Sequence, residues 1–349
     1  EIGSGLVGSE MCIRDRFMGT PASDTFVFED AYHAAETAQN GGFVVVGLYD
    51  ESSRDRQGDL IAHCDHYFKS MDDMLCSINS DRSRLVPVLT IAGSDSSGGA
   101  GVQADLKTMQ ANGVFGMSAI TALTAQNTTG VTAIMNVIPD VLGAQIDAVF
   151  TDIRPKAVKI GMVSVPELID VIADRLARYN AENVVLDPVM VATSGAKLIS
   201  DDAVEVMTGK LFPLAKLITP NIPETEALTG ISVKSVADME NAARCIYGKY
   251  GCAVLVKGGH SINDANDMLF DGENITWFSG KRIDNPNTHG TGCTLSSAIA
   301  SNLAKEYDVS DSVRMAKQYI SGALAAMLDL GSGSGPLNHG FDIRSRYML

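Results

Sequence analysis

Between residues 85 and 330 the chain alternates short apolar runs with longer segments whose apolar residues recur at helical spacing, and this alternation constrains the fold more than any other feature. The apolar runs at 85–92, 184–186 and 253–256 each lead into a glycine or a polar residue. Strands and helices in such succession specify a mostly parallel sheet with helices on both faces. We therefore predict an α/β fold, a three-layer α/β/α sandwich. A domain of this size buries about 70–75% of its chain surface, so it does not need a disulfide or a metal for stability.

A glycine-rich loop precedes one of the helical segments. Residues 287–294 read Asn-Thr-His-Gly-Thr-Gly-Cys-Thr, and apolar residues at helical spacing follow. A helix start presents unpaired N–H groups and the positive end of the helix dipole, which together attract phosphate. We expect four amides to converge there and to form a cradle for a moving phosphoryl group. They belong to Gly290, Thr291, Gly292 and Cys293. The alternative is an ordinary helix cap formed by Thr291 or Thr294.

The charge and the cysteines of the chain exclude several classes of protein. A net charge of −15 disfavours nucleic acid and anionic membranes as partners, because both attract clustered Lys and Arg. The six cysteines include no C-x-x-C pair, so neither a zinc site nor a disulfide framework is indicated, and reduced cytosol is the natural compartment. The longest apolar runs, such as 43–48, are too short to span a bilayer. We therefore expect a cytoplasmic enzyme whose partners are small molecules.

The N-terminal part of the chain has its own pattern. Residues 1–16 show no sustained periodicity and look like a translated adapter rather than a native segment. Residues 17–76 contain a βαβ pattern that resembles the C-terminal part of haloacid-dehalogenase-like hydrolases, in which a strand-end carboxylate such as Glu29 or Asp30 helps to hold magnesium. The D-x-D-x-T nucleophile motif of that family does not precede this pattern. We interpret 17–76 as a truncated fragment that is inactive as a phosphatase, or alternatively as a small accessory module.

Two glycine-rich stretches carry a resemblance to a family of kinases. The run 90–108, Thr-Ile-Ala-Gly-Ser-Asp-Ser-Ser-Gly-Gly-Ala-Gly-Val-Gln-Ala-Asp-Leu-Lys-Thr, and the loop at 287–294 resemble loops of the hydroxymethylpyrimidine/phosphomethylpyrimidine kinases of thiamine biosynthesis, a branch of the ribokinase-like kinases. The resemblance spans residues 85–340, which leaves 77–84 as a polar linker and 341–349 as a tail.

This resemblance implies a ribokinase-like fold and a specific reaction. The γ-phosphoryl group of ATP, with Mg²⁺, would be transferred to the hydroxymethyl oxygen of 4-amino-5-hydroxymethyl-2-methylpyrimidine. A second transfer onto the monophosphate would give the pyrophosphate used for thiamine. The sequence leaves two alternatives open: a pyridoxal or pyridoxine kinase of the same fold, and a catalytically silent pyrimidine-binding protein. The resemblance also admits a homodimer.

The same resemblance suggests which residues contact the pyrimidine. Asp105 would face the hydroxymethyl group, although a solvated helix carboxylate is the alternative. Gln126, on the predicted second strand, has an amide that both donates and accepts, which suits the ring nitrogen and amino group of an aminopyrimidine; otherwise it caps a turn. Met162 would form a wall of the pocket, or else fill the core. Gly93 begins the loop that would lie over the substrate.

Polar residues at the ends of other apolar runs indicate the phosphate and metal sites. Asp187 and Glu224 both follow strands, and ligands gather at the carboxyl ends of strands in open α/β sheets. In ribokinase-like enzymes the matching residues hold Mg²⁺, often through water, although Asn221 and Glu224 also have the spacing of a capping box. Lys257 at a glycine turn favours a phosphate contact over core filling. Together with Asn221 and Thr288, it completes the predicted nucleotide and phosphate site.

Cys293 takes the place of the aspartate base that is usual in ribokinase-like kinases. The unperturbed pKa of a thiol is about 8.5 against about 3.9 for Asp, although a helix start can lower the pKa of a thiol. A loose phosphoryl-transfer transition state asks little of a base, so positioning and charge stabilisation can carry most of the rate. A carboxylate would repel the phosphate acceptor of the second transfer. We therefore hypothesise that a neutral or weakly acidic thiol lets one site accept both acceptors.

Overall fold

The computed structural model of the chain describes residues 21–74, 85–190, 199–258 and 266–343. The chain divides into a small unit, residues 1–84, and a large unit, residues 85–349. The adapter-like residues 1–16 and the predicted linker at 77–84 lie outside the described residues, as do residues 344–349 of the predicted tail.

The small unit is a three-stranded parallel sheet accompanied by α-helices in its described part. In chain order it contains β1 (Phe26–Glu29), α1 (Tyr32–Asn40), β2 (Val44–Leu48), α2 (Gln57–Ala62) and β3 (His66–Phe68). Both β1 and β3 pair with β2 in parallel. Its small core consists of Ala35, Ala38, Phe43, Val45 and Leu60. The βαβ elements expected from the sequence are present, and the assignment to haloacid-dehalogenase-like hydrolases stays a prediction.

The large unit is built on an eight-stranded sheet. Its strands are β4 (Pro87–Ala92), β5 (Phe115–Ile120), β8 (Ala157–Ile160), β9 (Val184–Leu186), β10 (Leu217–Ile218), β11 (Ala253–Val256), β12 (Asp267–Phe270) and β13 (Ile275–Phe278). Across the sheet they lie in the order β13, β12, β11, β10, β9, β8, β4, β5. The strands from β11 to β5 are parallel, whereas β12 and β13 are antiparallel to their neighbours. The predicted mostly parallel sheet is confirmed.

Helices cover both faces of this sheet. They are α3 (Gly101–Ala111), α4 (Pro139–Asp152), α5 (Pro166–Arg178), α6 (Asp201–Val206), α7 (Ile222–Thr229), α8 (Val236–Tyr250), α9 (Thr291–Ala304) and α10 (Val309–Ala325). Strand side chains alternate between faces, so in β9 Val184 and Leu186 enter one apolar core and Val185 enters the other. Residues of α3, α9 and α10 fill the second core, and those of α4, α5 and α8 the first. The three-layer sandwich is therefore confirmed. Across the described ranges, no helix has the length and apolar character needed to cross a bilayer.

An antiparallel ribbon stands apart from the large sheet. It consists of β6 (Ala122–Asn127) and β7 (Gly130–Asn136). Gln126 lies on a strand, as expected, but this strand, β6, is outside the large sheet, and β5 is the strand that follows β4 in that sheet. Residues 122–127 have the alternation of a half-buried strand, and only tertiary pairing decides which sheet such a strand joins. Gln126 thus reaches the site from the ribbon.

Candidate active site

Two glycine-rich loops meet beside the sheet. We call residues 93–101, which follow β4, the opening loop, and residues 287–293, which lead into α9, the thiol loop. Gly290 has φ +83°, and a Cβ at this position would lie 1.9 Å from the carbonyl oxygen of Gly99. Gly101, with φ +58°, turns the opening loop into α3. Only glycine permits these conformations and this close approach, so the glycines determine how the loops pack.

Helix α9 begins without a side-chain cap. Its N-cap residue is Gly290, and no side chain bonds to the first-turn amides. Thr291 instead donates its hydroxyl to the carbonyl of the exposed Thr288 at 2.6 Å. The threonine cap considered from the sequence is therefore not formed. Within the described part of the chain, no hydrogen bond reaches the amides of Gly292 and Cys293. Free amides at a helix start suit an anion.

Lys257 and Asp187 form an ion pair beside the start of α9. Nζ of Lys257 lies 2.8 Å from Oδ1 of Asp187, and the two side chains are 18% and 4% exposed. A Cβ on Gly292 would lie 3.5 Å from this Nζ and 3.0 Å from Oδ2 of Asp187, so the pair faces the helix start. Burial lowers the pKa of Lys257, but Asp187 and Glu224 more than offset this effect and the pKa is raised. A charged ammonium group therefore stands next to the free amides.

Glu224 has both carboxylate oxygens bonded to backbone amides. Oε1 accepts from the amide of Met190 at 2.9 Å, and Oε2 accepts from the amide of Asn221 at 2.8 Å. Oδ1 of Asn221 accepts in turn from the amide of Glu224 at 2.8 Å, which completes the capping box. Burial raises the pKa of Glu224, and Asp187 adds to this effect while Lys257 opposes it. The capping alternative is thus confirmed for this pair, and direct ligation of a metal by Glu224 would disturb it.

Asp105 does not face the pocket. It is 0% exposed, and Nζ of Lys159 lies 2.8 Å and 2.7 Å from its two oxygens. Thr90 donates to Oδ2 at 2.6 Å, and Ser297 of α9 donates to Oδ1 at 2.7 Å. These donors use the lone pairs of the carboxylate, which leaves none for a substrate hydroxyl. The predicted direct contact with the hydroxymethyl group is therefore corrected: Asp105 ties Lys159 to α9.

The thiol of Cys293 is half-buried in the first turn of α9. Burial raises its pKa, as do Asp105 and Asp187, and these effects outweigh the lowering by Lys159 and by the amide of Gly101. The lowering that a helix start can cause does not prevail here, because desolvation and two carboxylates dominate. Cys293 is a neutral thiol at pH 7.

Gln126 and Met162 are both half-buried, so part of each residue remains exposed to solvent. The amide of Gln126 lies 3.2 Å from Nε2 of His289 and 3.2 Å from Oγ1 of Thr124. Cε of Met162 lies 3.4 Å from where a Cβ on Gly93 would be. The contacts of Gln126, Met162 and Gly93 with a substrate stay predictions.

Three residues that organise this site were missed in the sequence. Lys159 lies inside the apolar strand β8. Burying a lysine costs free energy, and this criterion, which selected Lys257, applied equally to Lys159. Asp95 is 1% exposed, accepts from amides of the opening loop and lies 3.0 Å from His289. Its signal was an aspartate in a Ser/Gly-rich turn. His289 offered no signal beyond its place before the glycine of the thiol loop.

Free amides at a helix start beside a charged lysine can position a phosphoryl group and stabilise the charge that develops on it. By fold and site the large unit is a ribokinase-like small-molecule kinase.

Comparison with known proteins narrows this class. The family model for phosphomethylpyrimidine kinase matches residues 95–338, and the chain belongs to that family. The hydroxymethylpyrimidine/phosphomethylpyrimidine kinase of Rhizobium meliloti strain 1021 is 50% identical over 255 residues, which cover 72% of this chain and 96% of that protein. A bifunctional thiamine biosynthesis protein of Geobacter sulfurreducens is 49% identical over 263 residues, but the chain spans only 54% of its length.

Solved structures agree with this assignment. A phosphomethylpyrimidine kinase from Clostridium difficile 630 matches with a TM-score of 0.62 and 48% identity, over 68% of this chain and 98% of that chain. A pyridoxal kinase from Staphylococcus aureus in complex with pyridoxal matches with a TM-score of 0.67 and 33% identity, over 74% of this chain and 94% of that chain. The family match lies wholly within the large unit.

Proposed function

We propose that the large unit transfers the γ-phosphoryl group of ATP to the hydroxymethyl oxygen of 4-amino-5-hydroxymethyl-2-methylpyrimidine, and a second phosphoryl group to the resulting monophosphate. The observation that carries this proposal is the neutral thiol of Cys293 beside free amides of α9, with charged Lys257 next to them. Relatives at 46–50% identity that carry the name hydroxymethylpyrimidine/phosphomethylpyrimidine kinase support it. The pyrophosphate product would serve thiamine biosynthesis.

Each residue of the site then has its own task. The free amides of Gly292 and Cys293, at the positive end of α9, stabilise negative charge on the migrating phosphoryl group. Lys257 neutralises part of the same charge, and its ion pair with Asp187 holds Nζ in place. The amide of Gln126 pairs with the pyrimidine ring. The thiol of Cys293 lines the path of the acceptor oxygen without adding a negative charge.

The carboxylates fit a magnesium ion held through water. Oδ2 of Asp187 has no protein hydrogen-bond donor within the described ranges, and Mg²⁺ prefers such hard oxygens. Both oxygens of Glu224 already accept amides, so this residue would act through ordered water. Among the described residues, no three His, Cys, Asp or Glu side chains cluster closely enough to hold a metal directly. With ATP bound, the ion would supply neutralisation of the phosphate charge.

ATP turnover tests the proposal directly. The full chain, with ATP and Mg²⁺, is given the pyrimidine alcohol, its monophosphate or pyridoxal in parallel assays. We expect both pyrimidines to be phosphorylated, with kcat/KM for the alcohol above that for pyridoxal. Turnover of pyridoxal alone would make the large unit a pyridoxal kinase. Binding of the pyrimidine by calorimetry with no turnover of any acceptor would make it a silent binding protein.

Cys293→Asp is expected to damage the second transfer more than the first. The carboxylate adds a negative charge close to Asp105 and Asp187, which repels the anionic monophosphate but not the neutral alcohol. We expect kcat/KM for the monophosphate to fall about tenfold further than that for the alcohol, as one charge repulsion of about 1.4 kcal/mol implies. Cys293→Ser stays neutral and should lower both values alike. Equal damage to both steps by Cys293→Asp would contradict the role given to the neutral thiol.

The ribbon is proposed to pair with the ribbon of a second copy of the chain. Its large apolar side chains are unusually exposed: Leu123 43%, Val131 48%, Ile134 60% and Met135 60%. A two-stranded ribbon is marginal alone, and exposed large apolar side chains on it favour burial against a partner. We expect the wild type to sediment as a dimer and Ile134→Glu with Met135→Glu to sediment as a monomer. Ile61→Glu, on an exposed isoleucine of the small unit, should leave the mass unchanged. A monomeric wild type would refute the pairing.

A further inference from the structure

Helices α3 and α9 begin side by side. The N-cap residue is Ala100 for α3 and Gly290 for α9. A Cβ on Gly290 would lie 1.9 Å from the carbonyl oxygen of Gly99 and 3.4 Å from Cα of Ala100, so the two backbones pack closely there. One point of contact does not fix the direction of a helix. A second contact, further along both helices, is needed to hold the two starts in register.

The second contact is a buried hydrogen bond. Ser297 of α9 donates its hydroxyl to Oδ1 of Asp105 of α3 at 2.7 Å, and both residues are 0% exposed. Ser297 follows Cys293 by about one helical turn, so the two residues lie on the same face of α9. The face of α9 that carries the thiol is therefore bonded to α3.

Asp105 is itself held by two strands of the sheet. Thr90 of β4 donates to its Oδ2 at 2.6 Å, and Nζ of Lys159 in β8 lies 2.8 Å and 2.7 Å from its two oxygens. Hydrogen bonds from a charged donor are shorter and stronger than those between neutral groups. The carboxylate therefore has little freedom to move, and Ser297 is bonded to a group whose position the sheet fixes.

This hydrogen bond connects two parts of the proposed site. Helix α9 begins with the free amides of Gly292 and Cys293, and α3 begins where the opening loop ends. We propose that Asp105 and Ser297 are positioning residues that hold the starts of α3 and α9 in register. The acceptor under the opening loop then meets the phosphoryl group held by the amides of α9. This inference rests on the proposed function, because it takes the opening loop to cover the acceptor.

Loss of the bond between Ser297 and Asp105 should slow the transfer without weakening binding. The reacting atoms must lie about 3–3.5 Å apart and in line, and a displacement of about 1 Å can cost about 10²-fold in rate. Ser297 and Asp105 are fully buried, so neither contributes a direct contact to the affinity for the substrates. The effect should therefore fall on kcat and leave KM nearly unchanged.

The test compares Ser297→Ala with Ser301→Ala. Ser301 lies about one turn further along α9, is also 0% exposed, and donates its hydroxyl to the carbonyl of Ser297 at 2.7 Å. Each change removes one buried hydroxyl from the same helix, but Ser297→Ala alone of the two breaks the bond to α3. For Ser297→Ala we expect kcat for the pyrimidine alcohol to fall about tenfold, with KM within about twofold of the wild type. Ser301→Ala should keep both values within about twofold.

Kinetics and hydrogen exchange separate the outcomes. A folded Ser297→Ala whose kcat stays within about threefold of that of Ser301→Ala overturns the inference while the proposed function stands, and so does a rise in KM with unchanged kcat. Native-state hydrogen exchange of the wild type decides the matter even if Ser297→Ala does not fold. The backbone amides of Asp105 and Ser297 should open together, with protection factors within about tenfold of each other, and a larger difference overturns the inference. A wild type that does not phosphorylate the pyrimidine alcohol refutes the proposed function instead.

Discussion

Replacing Lys257 with methionine should lower kcat by about 10²–10³-fold, the cost of removing one preorganised donor from a site of developing charge. Methionine retains most of the aliphatic stem and removes the ammonium group. That group lies 2.8 Å from Asp187 and 3.5 Å from a Cβ position on Gly292, beside the free amides of α9. The loss should fall on kcat, because the charge it stabilises develops in the transition state.

Single-turnover and steady-state assays on the pyrimidine alcohol measure this effect. Lys305→Met is a matched control, because Lys305 lies just after the last turn of α9 and donates to the carbonyl of Asn112 at 3.1 Å, away from the site. It should keep kcat within about twofold, because the hydrogen bond that it removes lies away from the reacting groups. A folded Lys257→Met that retains kcat within about threefold would remove Lys257 from the proposed chemistry.

Replacing Lys159 with methionine should be the most destabilising of these substitutions, at about 3–5 kcal/mol in the free energy of unfolding. Lys159 and Asp105 are both 0% exposed and bond at 2.8 Å and 2.7 Å. Burial lowers the pKa of Lys159, but the carboxylate of Asp105 raises it by more, so the lysine is charged. Its removal leaves the carboxylate of Asp105 in the core without a counter-charge.

The double variant Lys159→Met with Asp105→Asn separates charge from packing. The asparagine side chain is neutral and can still bond to Thr90 and Ser297, so the pair should recover more than half of the stability lost in Lys159→Met. Urea unfolding with an unchanged m-value measures both variants. A loss of less than about 1 kcal/mol for Lys159→Met would mean that the buried carboxylate of Asp105 does not need the charge of Lys159.

Local sequence patterns were sufficient for the architecture of the large unit. The apolar triplet of β9 alternates between two cores because neighbouring strand side chains point to opposite faces, whatever lies around them. Gly290 and Gly101 were also recognisable, since a left-handed backbone needs glycine in any context. Lys257 was found by the energetic cost of burying a lysine, and the same reasoning applied to Lys159 would have found it as well.

The roles of individual polar groups could not be predicted from local sequence patterns. Asp105 was assigned to the substrate, whereas its carboxylate bonds to Lys159, 54 positions away, and to Ser297, 192 positions away. The sequence also did not show that the strand of Gln126 belongs to a separate ribbon, or that its neighbour His289 lies 163 positions along the chain.

Periodicity and backbone geometry depend on residues a few positions apart, so the layers, the glycine loops and the start of α9 followed from the chain's own order of residues. A pKa or the direction of an amide depends on desolvation and on groups that folding brings together. The raised pKa of Cys293 and the burial of Asp105 therefore became readable only once strands and helices had packed around them.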